Sequence, residues 1–268
     1  MRIFLNIASY RDPLLKHTLI DAYNKAVEKN NIFFGVVDQS YENETLSIQS
    51  LEFKDQIRYL RVDPDQTFGT CWARHICQTF WNQEEYYLQI DSHTLFEYGW
   101  DKVLLDQIKT LEKYHEKPVI TSYPWGFKDV DGQLTNFTPN QFETNAINAI
   151  AVRQDKTFTK EIPYYVNKLS KILHNRTQTA HGFLVSAGYL FTLGKVVLEV
   201  PYDPFLIFMW EEQSLALRLW TNGYNIFHVH KIPLYHYYEH DYRIGTMWYD
   251  ILDNKLPNKR IFPLEKLT

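Results

Sequence analysis

Asp91 and His93 end the apolar run "YYLQIDSH" with one residue between them. In an extended chain, side chains at i and i+2 leave the same face, so both can reach one ion. A carboxylate oxygen beside an imidazole nitrogen suits Mn2+, or Mg2+ shared with phosphates. With a substrate diphosphate filling the remaining positions, such a pair would stabilise a departing phosphate. The plainer reading is that Asp91 caps a turn and His93 packs. Downstream, "HVHKIPLYHYYEH" holds His228, His230, His236 and His240, of which one, not all four, can complete a metal site.

Other residues agree in type and order. "TFGTCWAR" puts Gly69 at a helix start and Arg74 about one turn in, where a guanidinium meets either a nucleotide's phosphates or the metal-site carboxylate. A solvated helix arginine is the alternative. "SYRD" follows the first strand, so Ser9, Tyr10 and Arg11 can lie against a nucleobase and ribose, while Asp12 is available to cap the next helix. In "WEEQ", Glu211 and Glu212 open another helix, where carboxylates complement the macrodipole or face an acceptor hydroxyl or sugar. The chain has no Gly-rich phosphate loop, no G-x-S-x-G elbow and no zinc-finger spacing, which disfavours kinases, serine hydrolases and structural zinc proteins.

The elements that must carry these residues alternate. Strand patterns ("RIFLNIAS", "NIFFGVVDQ", "QIRYLRVD", "EYYLQID", "KPVITSYP") are separated by helical ones ("DPLLKHTLIDAYNKAVEK", "TFGTCWARHICQTFWN", "WDKVLLDQIKTLEKYH"). That alternation predicts a parallel, doubly wound α/β sheet, whose ligands bind at the carboxyl ends of strands. Asp91-Ser92-His93 falls at one such end. "LFEYGWD" then reads as a turn into the next helix, with Trp100 in the core. Residues 125 to 180 are less regular, with turn signals at Trp125-Gly126, Asp131-Gly132 and Thr138-Pro139. "HGFLVSAGYLFTLG" reads as a strand or two, "WEEQSLALRLWTNG" as a helix capped at Asn222-Gly223, and "YNIFHVHKIPLYHYY" as further strand interrupted by Pro233. The 268 residues read as a single domain, with a nucleotide-binding half at 1–124 and an acceptor-side half at 125–268.

Composition narrows the classes. The chain is 45% hydrophobic and 22% charged with formal net charge −4, which speaks against a nucleic-acid partner. Aromatics make up 16%, mostly core by expectation, though such rings also suit sugars and bases. Two cysteines, Cys71 and Cys77, give no disulfide framework and point to a reducing, cytoplasmic compartment. No apolar run is long enough for a membrane span, and the N-terminus reads as a first strand, not a signal peptide.

Together "IASYRDP", "GTCWARHICQTFWNQEEYYLQIDSHTLFEYGWD", "PVITSYP", "VPYDPFLIFMWEEQSLALRLWTNGYNIF" and "YHYY" resemble the GlcNAc-transferase family typified by cytosolic enzymes that modify hydroxyproline. More distantly they resemble the polypeptide GalNAc-transferases, which also carry a D-S-H metal motif. The resemblance runs from Ile7 to Tyr238 and is poor over 125 to 180. It implies a GT-A fold, a Rossmann-like domain with a mostly parallel central sheet flanked by helices. It also implies a UDP-GlcNAc donor, a divalent metal (Mn2+ or Mg2+), and retention of the anomeric configuration. The metal residues would be Asp91, His93 and His236, with His230 the runner-up. Arg11, Gly69 and Arg74 match positions around the nucleotide, and Glu211 or Glu212 the acidic residue of the acceptor side. Relatives commonly show G-E-E where this chain has Trp210-Glu211-Glu212, a departure that bears on the acceptor, polypeptide or glycan. The competing expectations are another UDP-sugar donor (UDP-GalNAc or UDP-Gal), an inactive GT-A sugar-binding protein, and a metal-dependent nucleotide hydrolase.

Overall fold

The first strand, β1 (Ile3–Tyr10), is buried along almost its whole length, as a strand must be when helices cover both faces of its sheet. Ile3, Leu5 and Ile7 enter one core cluster and Phe4 and Ala8 another, the period of two that a pleated strand imposes. The structure is a computed structural model that describes residues 1–130, 133–136, 146–152, 165–171, 179–206 and 210–238. The turn signals at Asp131-Gly132 and Thr138-Pro139, and His240, lie outside the described residues.

On one side of β1 run β2 (Ile32–Gln39) and β3 (Ile57–Val62), and on the other β4 (Tyr86–Asp91), all parallel. The strand order β3-β2-β1-β4 therefore reverses direction between β1 and β4. Outside the carboxyl ends at such a reversal lies the crevice where open α/β sheets bind ligands. The helices sort by face. Leu15, Leu19 and Ala22 of α1 (Leu15–Lys25), with Trp100, Leu104 and Ile108 of α3 (Trp100–Glu112), pack on the face of Ile3 and Leu5. Cys71, Ala73 and Cys77 of α2 (Thr70–Gln78) pack on the opposite face. They are joined there by α4 (Val196–Glu199) and by Leu215, Ala216 and Leu219 of α5 (Glu211–Thr221). Trp100 is core as expected, its indole N–H donating to the Ala22 carbonyl at 2.9 Å.

Beyond β4 the sheet continues as β12 (Tyr189–Leu193), β6 (Pro118–Thr121), β13 (Asn225–Val229) and β11 (Thr179–His181), eight strands among the described residues. Here the expectation of a doubly wound parallel sheet is corrected. β12 runs antiparallel to both β4 and β6, and β11 antiparallel to β13, so four of the seven pairings are parallel and the sheet is mixed. β12 slots between β4 and β6, the two strands that the α3 crossover joins, and no strand–helix–strand unit links it to either neighbour, so nothing requires it to run parallel to them.

A second sheet has the order β5-β14-β7-β8, from β5 (Thr94–Phe96), β14 (Leu234–Tyr237), β7 (Trp125–Val130) and β8 (Gln133–Asn136). Two segments expected as turns are thus strands: Trp125-Gly126 opens β7, and Leu95 and Phe96 pair with β14. β9 (Ala146–Val152) and β10 (Tyr165–Lys171) form a separate antiparallel pair. Among the described residues, no helix is long and apolar enough to cross a membrane.

Candidate active site

Asp91 is the last residue of β4, opposite Ala8 of β1, so it leaves the sheet at the order reversal. His93 follows in the turn to β5. β5 pairs with β14 in a register that sets His236 opposite Thr94, and the Tyr237 N–H donates to the His93 carbonyl at 3.1 Å. The second sheet thereby carries a residue far along the chain to Asp91. His236 Nε2 is 3.0 Å from Asp91 Oδ2 and 3.0 Å from His93 Nε2. One ligand atom from each of the three lies within 4.8 Å of the others.

One carboxylate and two imidazoles suit Mn2+ better than Mg2+, which prefers an all-oxygen shell. The space around them also fits an ion. A Cβ at Gly188 would stand 2.6 Å from Asp91 Oδ2 and 3.7 Å from His236 Cδ2, so only glycine leaves the carboxylate uncrowded on that side. Asp91, His93 and His236 would hold the ion. His230 is not part of this cluster, and His228 is a buried residue of β13 whose Nδ1 lies 2.9 Å from the Thr121 carbonyl. Burial holds the His228 imidazole below its usual range, in the neutral form.

Beneath Asp91 lies Arg74, 1% exposed. Asn6 of β1 fixes α2 by donating to the Arg74 carbonyl at 3.0 Å. The guanidinium donates to Asp91 Oδ1 at 2.6 Å and stands 3.8 Å from Glu211 Oε2. Of the two partners weighed for Arg74, it holds the carboxylate. A buried cation is tolerated only with such counter-charges. Burial opposes ionisation of Asp91, but the His236 hydrogen bond and the Arg74 charge outweigh it and keep the carboxyl well below the usual range.

Glu211 and Glu212 separate. Glu211 is buried and accepts from the Cys71 thiol at 3.4 Å. Glu212 is part-exposed; its Oε1 accepts the Ala187 N–H at 2.9 Å, beside Gly188, and its Oε2 the Tyr123 hydroxyl at 3.4 Å. Burial, then the charges of Glu211 and Asp91, push Glu212 up to about 7. Trp210, just before them, has φ +75° and is 42% exposed.

Of the residues expected at the nucleotide, Ser9 is fully buried beneath the crevice, with no hydrogen-bond partner for its hydroxyl among the described residues. Tyr10 ends β1. Arg11 lies 5.0 Å over the Tyr41 ring and is bidentate to Glu44 at 2.7 and 2.9 Å. Gly69 caps α2 at φ +104°, a conformation that excludes other residues. Three contributors escaped the sequence reading. Gly188 belongs to no motif. Tyr238 sets its ring 4.3 Å from that of His236. Asp12 was legible only as a cap, yet its Oδ2 is 2.6 Å from His93 Nδ1.

A profile of the family described as "Glycosyltransferase (GlcNAc)" matches residues 2–54 and 45–260. The chain belongs to this family. Solved structures agree in fold. S. aureus TarS 1–349 in complex with UDP-GlcNAc superposes with TM-score 0.56 at 14% identity, over 92% of this chain and 61% of that one. GalNAc-T7 with UDP, GalNAc and Mn2+ superposes with TM-score 0.63 at 14% identity, over 90% of this chain and 44% of that one. These are GT-A glycosyltransferases, and at such identities the likeness concerns the fold. This chain spans about three-fifths of the TarS fragment and less than half of the GalNAc-T7 chain. By sequence, no curated protein matches it.

Proposed function

We propose that the chain is a metal-dependent glycosyltransferase that moves GlcNAc from UDP-GlcNAc to a hydroxyl acceptor with retention of configuration. The observation that carries this reading is the meeting of Asp91, His93 and His236 at the carboxyl end of β4, in a GlcNAc-family chain. The likeness to TarS crystallised with UDP-GlcNAc, and to GalNAc-T7 with UDP, GalNAc and Mn2+, supports a UDP-sugar donor. The acceptor would be a polypeptide or glycan hydroxyl, and hydroxyproline is the finer form of the polypeptide case. Residues 1–124 would serve the nucleotide and 125–268 the acceptor. Cys71 and Cys77, both buried and free, favour a reducing compartment, hence the cytoplasm.

A divalent ion, when bound, would offset the charge that gathers on the diphosphate as the sugar leaves. Arg74 keeps Asp91 ionised and aimed from below. Glu211 braces Arg74 from within the core. Glu212, whose proton sits near neutrality, would orient the acceptor hydroxyl or a sugar hydroxyl. Tyr10, Arg11 and the start of α2 at Gly69 would receive the nucleotide, with Ser9 as their floor. No carboxylate is assigned as a covalent nucleophile, so the acceptor would approach from the face that the diphosphate leaves.

The test is UDP release from UDP-GlcNAc, UDP-GalNAc and UDP-Gal by protein stripped with EDTA and then given Mn2+. Release should require Mn2+, be fastest with UDP-GlcNAc, and fall by about 100-fold or more in Asp91→Ala. Unchanged Mn2+-dependent release by Asp91→Ala would sink the reading. Equal turnover of plain UDP would favour a nucleotide hydrolase instead.

A further inference from the structure

The N-terminal end of α1 holds the β4–β5 turn on both sides of His93. The Thr18 hydroxyl donates to the Ser92 carbonyl at 2.7 Å and accepts the Thr94 N–H at 2.9 Å. Asp12 divides its two oxygens. Oδ1 accepts the Leu14 N–H at 2.9 Å and closes the turn that leads into α1. Oδ2 accepts the Ser92 hydroxyl at 2.5 Å and meets His93 Nδ1 at 2.6 Å. Closing the turn occupies only Oδ1, so the cap role leaves the second contact unexplained.

An ionised carboxylate can only accept, so His93 Nδ1 carries a proton, and Nε2 is left as the nitrogen that can offer a lone pair to an ion. That Nε2 is the atom that faces His236 Nε2 at 3.0 Å, beside Asp91. The geometry points to Asp12 as the positioning residue of the site: through Nδ1 it sets the tautomer and ring plane of His93 and so presents Nε2 to a divalent cation shared with Asp91 and His236. This rests on the metal reading of those three residues. A carboxylate behind a metal-binding imidazole is a general device, and its loss weakens metal binding by about 10–100-fold.

The chemistry also says why Asp12 must be an acid. A neutral amide could still accept one hydrogen bond from Nδ1–H, but it could equally turn its NH2 toward Nδ1 and favour the wrong tautomer. It would also lack the negative charge that raises the basicity of the imidazole toward a cation.

The experiment titrates Mn2+ into the full chain, following the free aquo ion by EPR, without nucleotide and again at constant UDP. It compares wild type, Asp12→Asn and Ser92→Ala. Asp12→Asn retains a side-chain oxygen for the Leu14 N–H, so the turn and the fold are kept. Ser92→Ala removes the other donor to Oδ2 and leaves the His93 contact in place. In parallel, 15N-histidine spectra of the metal-free proteins report the His93 tautomer, assigned by its absence in His93→Gln.

Asp12→Asn should bind Mn2+ about 10–100-fold more weakly, with His93 losing its uniform Nδ1–H signature, while Ser92→Ala keeps both. Equal Mn2+ affinity in wild type and Asp12→Asn overturns the inference and leaves the metal reading standing, whatever the melting temperatures do. A loss of the same size in Ser92→Ala also overturns it, because the effect then belongs to the turn. Absence of Mn2+ binding by wild type, with and without UDP, removes the metal reading itself and this inference with it.

Discussion

Glu211 and Glu212 are neighbours in the chain with different surroundings: one is closed in by Arg74 and Cys71, the other reaches the Ala187 N–H and the Tyr123 hydroxyl. Their order at a helix start was legible, but which one is left part-exposed was not, because that depends on Tyr123, just after β6, and on Ala187 in the loop before β12. Glu212 gives the pH dependence a sign. Its carboxyl rises from 4.5 to about 7 on folding, so the folded chain binds more protons than the unfolded chain between those values. Stability from this group therefore falls as pH rises through that window, by up to about 3 kcal/mol. Glu212→Gln has no such loss, and its melting temperature should gain on wild type between about pH 5 and pH 8. Parallel melting curves for the two across that range would show that Glu212 titrates normally. The D-x-H pair was readable from its residue types and its place at a strand's carboxyl end, although the strand stops at Asp91 and His93 lies in the turn beyond it. Asp12 was not, because a capping reading already satisfied it and its partner lies 81 residues away.

Among the elements, β1 to β4 and α1 to α3 were readable because long apolar periods left little choice of type. The direction of β12 was not, since a short buried strand carries the same pattern either way. Nor was β7, whose Trp125-Gly126 start mimics a turn while pairing with β14 settles it as strand. The start of α5 has a local conflict. Trp210 holds a left-handed conformation at φ +75°, a region that favours glycine, and a side chain there costs about 1–2 kcal/mol. Trp210 is 42% exposed, so its partial burial offsets some of that cost. Trp210→Gly should accordingly raise stability by about 1 kcal/mol and the melting temperature by about 2–4 °C. A fall of similar size would mean that the indole is anchored where it stands. A glycosyl-transfer assay on the same variant would report whether the ring also serves the acceptor.

Across the molecule, two sheets share one site. The order reversal of the large sheet supplies Asp91 and Asp12, and the small sheet supplies His236. The first contribution follows from strand–helix alternation, which is why the crevice could be anticipated. The second depends on β5 pairing with β14 across the length of the chain, and no local pattern announces such a partner. The clasp at the N-terminal end of α1 has a consequence in time as well as in space. The Leu14 amide is held by Asp12 and the Thr94 amide by Thr18, so both are guarded by one short stretch of backbone. In native-state hydrogen exchange these two amides should open together, with one shared free energy, although they belong to different elements. A ligand in the crevice should slow both without touching either. Independent exchange at Leu14 and Thr94 would show two separate openings. Joint exchange would mean that each fraying of this helix end momentarily dismantles the site.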